Sequence, residues 1–249
     1  MPRRLLTLGT CLIGLLFSAA LTATEARVAV ASNFLPTARQ LAANFQRRSG
    51  HALRISSASS GKLYAQIHHG APFDLLLSAD ARRPERLAIE GLAKPDKVRP
   101  YAIGQLVFWM PKQDGDASRC RARLQEGNLR LALANPRTAP YGSAAWETLE
   151  ALGFDPAQLP LIQGENVAQA FAFVASGSAD GGFVAASQLT AGNREGCRWP
   201  VPGELHTPIV QKAALLKRGE PNPAARAFFA YLLGPEARQV IRRAGYLLP

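Results

Sequence analysis

The sequence predicts an α/β protein of two lobes, each built on a mostly parallel sheet flanked by helices. Short apolar runs alternate with amphipathic helical patterns, and this β-α-β order is typical of a parallel sheet covered by helices. The alternation occurs twice, and longer strand-like segments at residues 101–110 and 209–216 separate the two series. We expect those two segments to be strands that cross between the lobes. Lobe 1 is then residues 27–105 plus 207–249, and lobe 2 is residues 106–206.

The first 23 residues have the pattern of an export signal. Arg3 and Arg4 form a positive start, an uncharged apolar stretch follows, and small residues come after it. We therefore expect cleavage after Ala23 or as late as Ala26. A membrane anchor is the alternative, but the apolar stretch is short and is interrupted by Ser, Thr and Gly. The pattern predicts a soluble protein that acts outside the cytoplasm.

Lobe 1 opens with three strands and three helices in alternation. Apolar residues spaced three or four apart from Leu35 to Phe45 predict the first helix, and a glycine follows each helical pattern, as at many helix C-termini. The strands are predicted at residues 27–32, 53–57 and 74–78, and the helices at residues 35–49, 62–69 and 84–90. Two further helices, at residues 222–232 and 235–243, close this lobe.

Lobe 2 repeats the alternation with fewer clear elements. Its strands are predicted at residues 129–134 and 182–184, and its helices at residues 143–152 and 168–176 and in a short segment near Ser187. Gly153 and Gly177 follow the two longer helices.

Two cysteines remain after removal of the export signal, Cys120 and Cys197. In an oxidising compartment such a pair can form a disulfide, although the sequence leaves open whether their Cα atoms lie close enough. Neither cysteine has a C-x-x-C partner or a nearby histidine cluster, so a metal site is not expected there.

The composition favours an anionic partner. The formal charge falls from +11 to +9 when Arg3 and Arg4 leave with the export signal, and a positive protein attracts anions over long range. Nucleic acid is not the expected partner, because the basic residues are scattered and no segment interleaves them with stacking aromatics.

Four junctions between a strand and a helix carry mostly small polar residues: Ser32-Asn33, Ser59-Ser60-Gly61, Pro140-Tyr141-Gly142-Ser143 and Glu165-Asn166-Val167. Ligands of open parallel α/β sheets bind beyond the carboxyl ends of the strands, where helices begin. Each helix N-terminus acts as roughly +0.5 of a charge, so four together suit a small dianion without any Arg or Lys. The alternative at each junction is an ordinary helix cap or turn. Two junctions belong to each lobe, which predicts a cleft between the lobes.

Four segments carry a resemblance to a known family: VAVASNF at residues 28–34, SSGKLYAQI at residues 59–67, GAPFDLLLSAD at residues 70–80 and YLLGP at residues 231–235. Over nearly all of its length after the export signal, the chain resembles the periplasmic molybdate-binding proteins of ABC transporters. The resemblance implies the type II periplasmic binding protein fold, a location in the periplasm, and delivery of the bound oxyanion to an ABC transporter permease by a monomer.

The resemblance also implies a set of ligand-binding residues. Ser32 and Ser60 would donate hydroxyl and backbone N–H hydrogen bonds to the oxyanion. Tyr141 and Val167 match positions where the family offers a backbone N–H. Some members also use the residue after the first serine, which here is Asn33. Molybdenum would then be bound only as the oxyanion, with no cofactor.

One position departs from the family pattern. Many members place a tyrosine hydroxyl donor just after the strand predicted at residues 182–184, and this chain has Ala185 there. We hypothesise that the phenol of Tyr141 or the amide of Asn33 replaces the absent donor.

The expected function is therefore capture of molybdate and of tungstate, which has nearly the same size and charge. Another tetrahedral oxyanion such as sulfate is the alternative within this class. An exported serine hydrolase is disfavoured because no G-x-S-x-G elbow is present and all four histidines lie outside the four junctions. Those histidines are His51, His68, His69 and His206. The effector-binding half of a transcription regulator is disfavoured by the export signal and the lack of a helix-turn-helix segment.

Overall fold

The computed structural model describes residues 24–190, 192 and 194–249, so the expected export signal at residues 1–23 lies outside the described residues. In the described part of the chain, no helix is long and apolar enough to cross a membrane. Ala26 is fully buried inside the first strand. Cleavage after Ala23 keeps that strand whole, whereas cleavage after Ala26 would remove its first two residues.

The described residues form ten strands and nine α-helices, mostly in alternation, together with four short 3-10 helices. The strands are β1 (Glu25–Ala31), β2 (Ala52–Ala58), β3 (Leu75–Leu77), β4 (Ala93–Gly104), β5 (Leu106–Met110), β6 (Leu131–Ala134), β7 (Leu161–Gly164), β8 (Gly181–Ala185), β9 (Cys197–Pro200) and β10 (Ile209–Leu216). The helices are α1 (Leu35–Ser49), α2 (Ser60–His68), α3 (Arg82–Ile89), α4 (Ala117–Gln125), α5 (Pro140–Ala151), α6 (Val167–Ala175), α7 (Ala186–Thr190), α8 (Pro223–Leu233) and α9 (Pro235–Arg243).

The strands form two five-stranded sheets with the same pattern of directions. The first sheet has the order β2-β1-β3-β10-β4, and the second has the order β7-β6-β8-β5-β9. In each sheet three neighbouring strands run parallel, and the fourth strand is antiparallel to its neighbours on both sides. The two-lobed α/β fold expected from the sequence is thus the observed one.

The sequence of β1 shows why the first sheet is covered on both faces. Val28 and Val30 belong to one apolar cluster with Leu41 of α1, whereas Ala29 belongs to another with Leu63 of α2. Successive side chains of a strand point to opposite faces, so a strand buried on both faces is apolar throughout.

The two connections between the sheets meet where the Val201 N–H donates to the Leu106 carbonyl at 3.0 Å. The strand expected at residues 101–110 is two strands, β4 in the first sheet and β5 in the second, separated by Gln105. The chain returns through residues 201–208, which include the 3-10 helix Gly203–Leu205. The expectation that residues 209–216 cross between the lobes is wrong, because both strands that pair with β10, β3 and β4, belong to the first sheet.

Several elements were not predicted, and most are edge strands. They are α4, β7, β9 and the first eight residues of β4. Pro95 and Pro100 make the first part of β4 unlike a strand, but β4 is at the edge of its sheet, where proline is tolerated. A disulfide between Cys120 and Cys197, with Cα atoms 5.6 Å apart, joins α4 to β9.

Candidate functional site

The four predicted junctions surround one small cavity between the lobes. Its lining comprises Ala31, Ser32, Asn33, Ser59, Ser60 and Ala79 from lobe 1 and Ala139, Pro140, Tyr141 and Val167 from lobe 2. All five residues expected to bind the oxyanion therefore lie around the same cavity. They come together because β1 and β2 end beside each other in one sheet, and β6 and β7 do so in the other.

The lining contains no residue with a charged side chain. The cavity is small, with about 180 Å³ of space between atoms, part of it open to solvent. The polar groups available at the cavity are backbone N–H groups, hydroxyls and one side-chain amide. Among the described residues, no group of three or more His, Cys, Asp or Glu side chains could hold a metal ion.

The start of α2 presents two buried hydroxyls. Ser60 Oγ accepts a hydrogen bond from the Ala79 N–H at 2.9 Å, which leaves its own hydrogen available to donate. Ser59 precedes α2 in the N-cap position, but its hydroxyl does not cap the helix. Ser59 Oγ is buried and lacks a hydrogen-bond partner in the described structure. A buried hydroxyl is costly to leave unpaired, so Ser59 is a further candidate for ligand binding.

At Gly61, the start of α2 contacts lobe 2. The Gly61 N–H donates to the Thr138 carbonyl at 2.8 Å across the cleft. A Cβ at this position would lie 2.9 Å from the Thr138 oxygen and 3.0 Å from its Cα atom. Only glycine allows the two lobes to approach this closely here.

Ser32 and Asn33 begin a 3-10 helix, Ser32–Phe34, that leads directly into α1. Ser32 is buried at the carboxyl end of β1. Asn33 is also buried, and its backbone carbonyl accepts from Tyr246 Oη at 2.8 Å and from Ser187 Oγ at 3.3 Å. Its side-chain Nδ2 donates to Gln211 Oε1 at 3.0 Å. Asn33 is thus fixed from both lobes, because Ser187 lies in α7.

The start of α5 supplies backbone rather than side-chain donors. Pro140 occupies the first helical position and has no N–H, so Tyr141 carries the first N–H of the helix. The first N–H groups of a helix have no partner within it. Tyr141 therefore offers a free backbone N–H at the cavity without any contribution from its ring.

The phenol of Tyr141 lies behind the cavity. It is contacted by Gln211 Nε2, which donates to Oη at 3.4 Å, and a Cβ on Gly104 would lie only 2.3 Å from Oη. Neither Gln211 nor Gly104 lines the cavity. Burial and the neighbouring phenol of Tyr246 raise the pKa of Tyr141 well above its ordinary value, so the phenol stays neutral. This placement disfavours the hypothesis that the Tyr141 phenol replaces the absent tyrosine donor.

The start of α6 also leaves one backbone N–H free, but here an asparagine cap, rather than a proline, determines which one. Asn166 Oδ1 accepts from the N–H groups of Ala168 and Gln169, at 3.0 and 3.2 Å. This cap satisfies the second and third N–H groups of the helix and leaves that of Val167 for a ligand. Gln188 then holds Val167 in place from behind, because its Nε2 donates to the Val167 carbonyl at 3.2 Å.

Ala185 contributes no donor to the cavity. It is buried at the end of β8, does not line the cavity, and uses its N–H to donate to Gln188 Oε1 at 2.9 Å. Gln188 therefore connects the position of the absent tyrosine to the helix start at Val167.

Charged side chains lie at the rim of the cleft. Lys62 forms an ion pair with Glu165 across the cleft at 2.7 Å, and both side chains remain well exposed to solvent. Arg83 pairs with Asp80 and donates from Nη2 to the Arg137 carbonyl at 3.2 Å. These contacts link the lobes without placing a charge in the cavity.

Neither Ser59 nor Gln211 is among the site residues predicted from the sequence. Ser59 belongs to the predicted junction Ser59-Ser60-Gly61, and only its unpaired hydroxyl distinguishes it from an ordinary helix cap. Gln211 lies inside β10 and is fully buried among apolar residues. A lone glutamine in an apolar strand signals a buried polar contact, but its partners come from distant parts of the chain.

Comparisons with known proteins identify relatives that span nearly the whole chain. Residues 26–247 match the family model described as bacterial extracellular solute-binding protein. The molybdate-binding protein ModA of Azotobacter vinelandii is 41% identical over 234 residues, which cover 93% of each chain. ModA of Rhodobacter capsulatus is 40% identical over 244 residues, covering 96% of this chain and 95% of the relative. The solved structure of the Azotobacter vinelandii periplasmic molybdate-binding protein superposes with a TM-score of 0.84 at 40% identity, covering 90% of this chain and 100% of that one.

Proposed function

The chain belongs to the family of bacterial extracellular solute-binding proteins, and on that premise we propose that it binds molybdate in the cavity between its lobes. It is a binding protein for transport and not an enzyme. The observation that carries the proposal is the cavity itself, which is small, lacks charged side chains and collects donors from four helix starts. Two relatives at 40–41% identity that are named for molybdate support this choice of ligand over sulfate.

The donors divide by type. Ser32 and Ser60 offer hydroxyls together with backbone N–H groups, and Ser59 adds a third hydroxyl. Tyr141 and Val167 offer backbone N–H groups alone. Hydrogen bonds to a charged acceptor contribute about 1.5–3 kcal/mol each, so a few of them support micromolar or tighter binding even after the cost of closing the lobes.

Selectivity follows from the chemistry of these donors and from size. A fully deprotonated dianion accepts every hydrogen bond, whereas phosphate at neutral pH carries a proton that needs an acceptor. Sulfate is smaller than molybdate and would leave donors poorly paired in a cavity shaped for the larger ion. Tungstate has nearly the size and charge of molybdate, so we expect it to bind as well.

We also propose the cellular setting. The protein would act in the periplasm as a monomer and deliver the oxyanion to the permease of an ABC importer. The match to an extracellular solute-binding family supports a location outside the cytoplasm. The inter-lobe contacts of Gly61 and Lys62 support a closed, ligand-holding arrangement of one chain.

Isothermal titration calorimetry of the chain without residues 1–23 tests the proposal. Molybdate and tungstate should release or absorb heat with one site per chain and should raise the melting temperature. Sulfate and phosphate should bind at least tenfold more weakly. Absence of heat and of a thermal shift with both large oxyanions would refute the proposed function.

A further inference from the structure

The amide of Asn33 lines the cavity, and the protein satisfies only one of its two ends. Nδ2 donates to Gln211 Oε1 at 3.0 Å and to Tyr246 Oη at 3.2 Å, and neither of these residues lines the cavity. Oδ1 is buried and has no hydrogen-bond partner among the residues that the structure describes. Oδ1 is therefore the end of the amide that remains for the cavity.

An amide oxygen in that place is unsuited to a fully deprotonated oxyanion. Such an ion only accepts hydrogen bonds, and an amide oxygen only accepts them too. An amide NH2 group in the same place would donate to the ion in a charge-assisted hydrogen bond. Asn33 must therefore present Nδ2 to the cavity in order to replace the tyrosine donor that is absent at Ala185.

Gln211 prevents Asn33 from inverting alone. If only Asn33 turned over, its Oδ1 would take the place of Nδ2, 3.0 Å from Gln211 Oε1, and two acceptors would face each other. Gln211 is itself fully buried and held from several sides. Its Oε1 also accepts from Tyr101 Oη at 3.0 Å, and its Nε2 donates to Tyr141 Oη at 3.4 Å.

We propose that Gln211 is a positioning residue and that oxyanion binding inverts the Asn33 and Gln211 amides together; this inference rests on the proposed function. After inversion, Gln211 Nε2 donates to Asn33 Oδ1, and the Tyr141 phenol donates to Gln211 Oε1. Tyr246 Oη, 3.2 Å from the same Asn33 position, turns its hydrogen from the Asn33 carbonyl to Oδ1, and Ser187 Oγ still donates to that carbonyl. Asn33 Nδ2 then donates to the bound ion. The pair thus converts an acceptor at the cavity wall into a donor and leaves no unpaired amide oxygen behind it.

The phenols around Gln211 accommodate both orientations, because a hydroxyl can donate or accept. Tyr101 Oη lies 3.2 Å from the Ser78 carbonyl, so it can donate there while it accepts from Gln211 Nε2. Burial raises the pKa of both Tyr101 and Tyr141 well above the ordinary value, so both phenols keep their protons. Tyr141 comes from lobe 2, whereas Asn33 and Gln211 belong to lobe 1, so the inverted pair also ties the two lobes together.

Nuclear Overhauser effects from the Gln211 side-chain NH2 protons test the inversion in the wild-type chain. Without molybdate, these protons should lie beside the Tyr141 ring. With saturating sodium molybdate, their contacts should move to the Tyr101 ring and to Asn33. Unchanged contacts in a protein that calorimetry shows to be saturated overturn the inversion alone. A protein that binds no molybdate overturns the inversion and the proposed function together.

The variant Gln211→Met tests the positioning role separately, because methionine keeps the size and removes both polar ends. Molybdate affinity should fall about tenfold, because the inverted Asn33 Oδ1 would then be buried without the Gln211 donor. Thr148→Val is the matched control, since Thr148 is also fully buried and its hydroxyl donates to the Ala144 carbonyl at 2.7 Å, within α5. Both variants should melt earlier, but only Gln211→Met should lose affinity. A folded Gln211→Met protein with affinity within twofold of wild type overturns the positioning role.

Discussion

Lobe 1 reaches the cavity with polar side chains, whereas lobe 2 reaches it with backbone. Ser59 and Ser60 bring hydroxyls from lobe 1, and the polar groups of Tyr141 and Val167 at the cavity are their N–H groups. In lobe 2 the neighbouring residues determine which N–H is free, through the proline before Tyr141 and the asparagine cap before Val167. Alanine scanning removes side chains and leaves backbone N–H groups in place, so it would detect only the contribution of lobe 1 to such a site. The lobes also differ in how they are held together, since the disulfide lies in lobe 2.

Removal of the disulfide should have the largest effect, a loss of stability that acts mainly on lobe 2. The bridge closes a segment with a sequence separation of 77, for which chain entropy predicts about 4.5 kcal/mol of stabilisation. The double variant Cys120→Ala, Cys197→Ala should lose stability of that order in urea unfolding. Hydrogen exchange should rise in α4 and β9 before it rises in the first sheet. Equal loss of protection in both sheets would show that the lobes unfold as one unit.

Gly61→Ala should weaken binding at least as much as the loss of a typical single hydroxyl. The added Cβ would lie 2.9 Å from the Thr138 oxygen, so the lobes could not close fully and all donors of lobe 2 would move away. We expect molybdate affinity to fall about a hundredfold, equivalent to about 2.7 kcal/mol. Gly203→Ala is the control, because a Cβ there meets no atom within 4 Å. Equal affinities for the two variants would contradict the role of Gly61 in closure.

Ser60→Ala and Val167→Ala compare the two lobes directly. Loss of the Ser60 hydroxyl removes one charge-assisted hydrogen bond, which costs about 1.5–3 kcal/mol, or roughly 10- to 150-fold in affinity. Val167→Ala keeps the backbone N–H, so its affinity should stay within about threefold of wild type. Calorimetry with molybdate measures both variants. A large loss for Val167→Ala alone would mean that lobe 2 acts through its side chains.

Lys62→Met should have the smallest effect. The ion pair with Glu165 crosses the cleft at 2.7 Å, but both side chains are exposed, and such pairs contribute at most about 1 kcal/mol. Affinity should fall less than fivefold, and the difference from wild type should shrink as salt is added. A loss that persists in high salt would point to a direct contact with the ion.

The sequence was sufficient for the buried strands and for the site residues that begin helices. β1 and β6 are largely apolar because helices cover both faces, and the end of β1 locates Ser32. Ser60 follows β2, an edge strand that is only partly buried. Edge strands such as β7 and β9 are short, and pairing with an already formed sheet, rather than a local pattern, determines them. The proposed role of Gln211 depends on contacts between distant segments, and that of Ser59 on a hydroxyl left without a partner in the folded chain; no local pattern encodes either.

Anomalous diffraction from crystals grown with molybdate tests the central claim most directly. The claim is that uncharged donors of both lobes hold the oxyanion. One molybdenum peak should lie in the cavity, with its oxygen atoms within hydrogen-bond distance of the Ser60 hydroxyl and of the Tyr141 and Val167 N–H groups. A peak beside the surface arginines and lysines, with none in the cavity, would contradict the account.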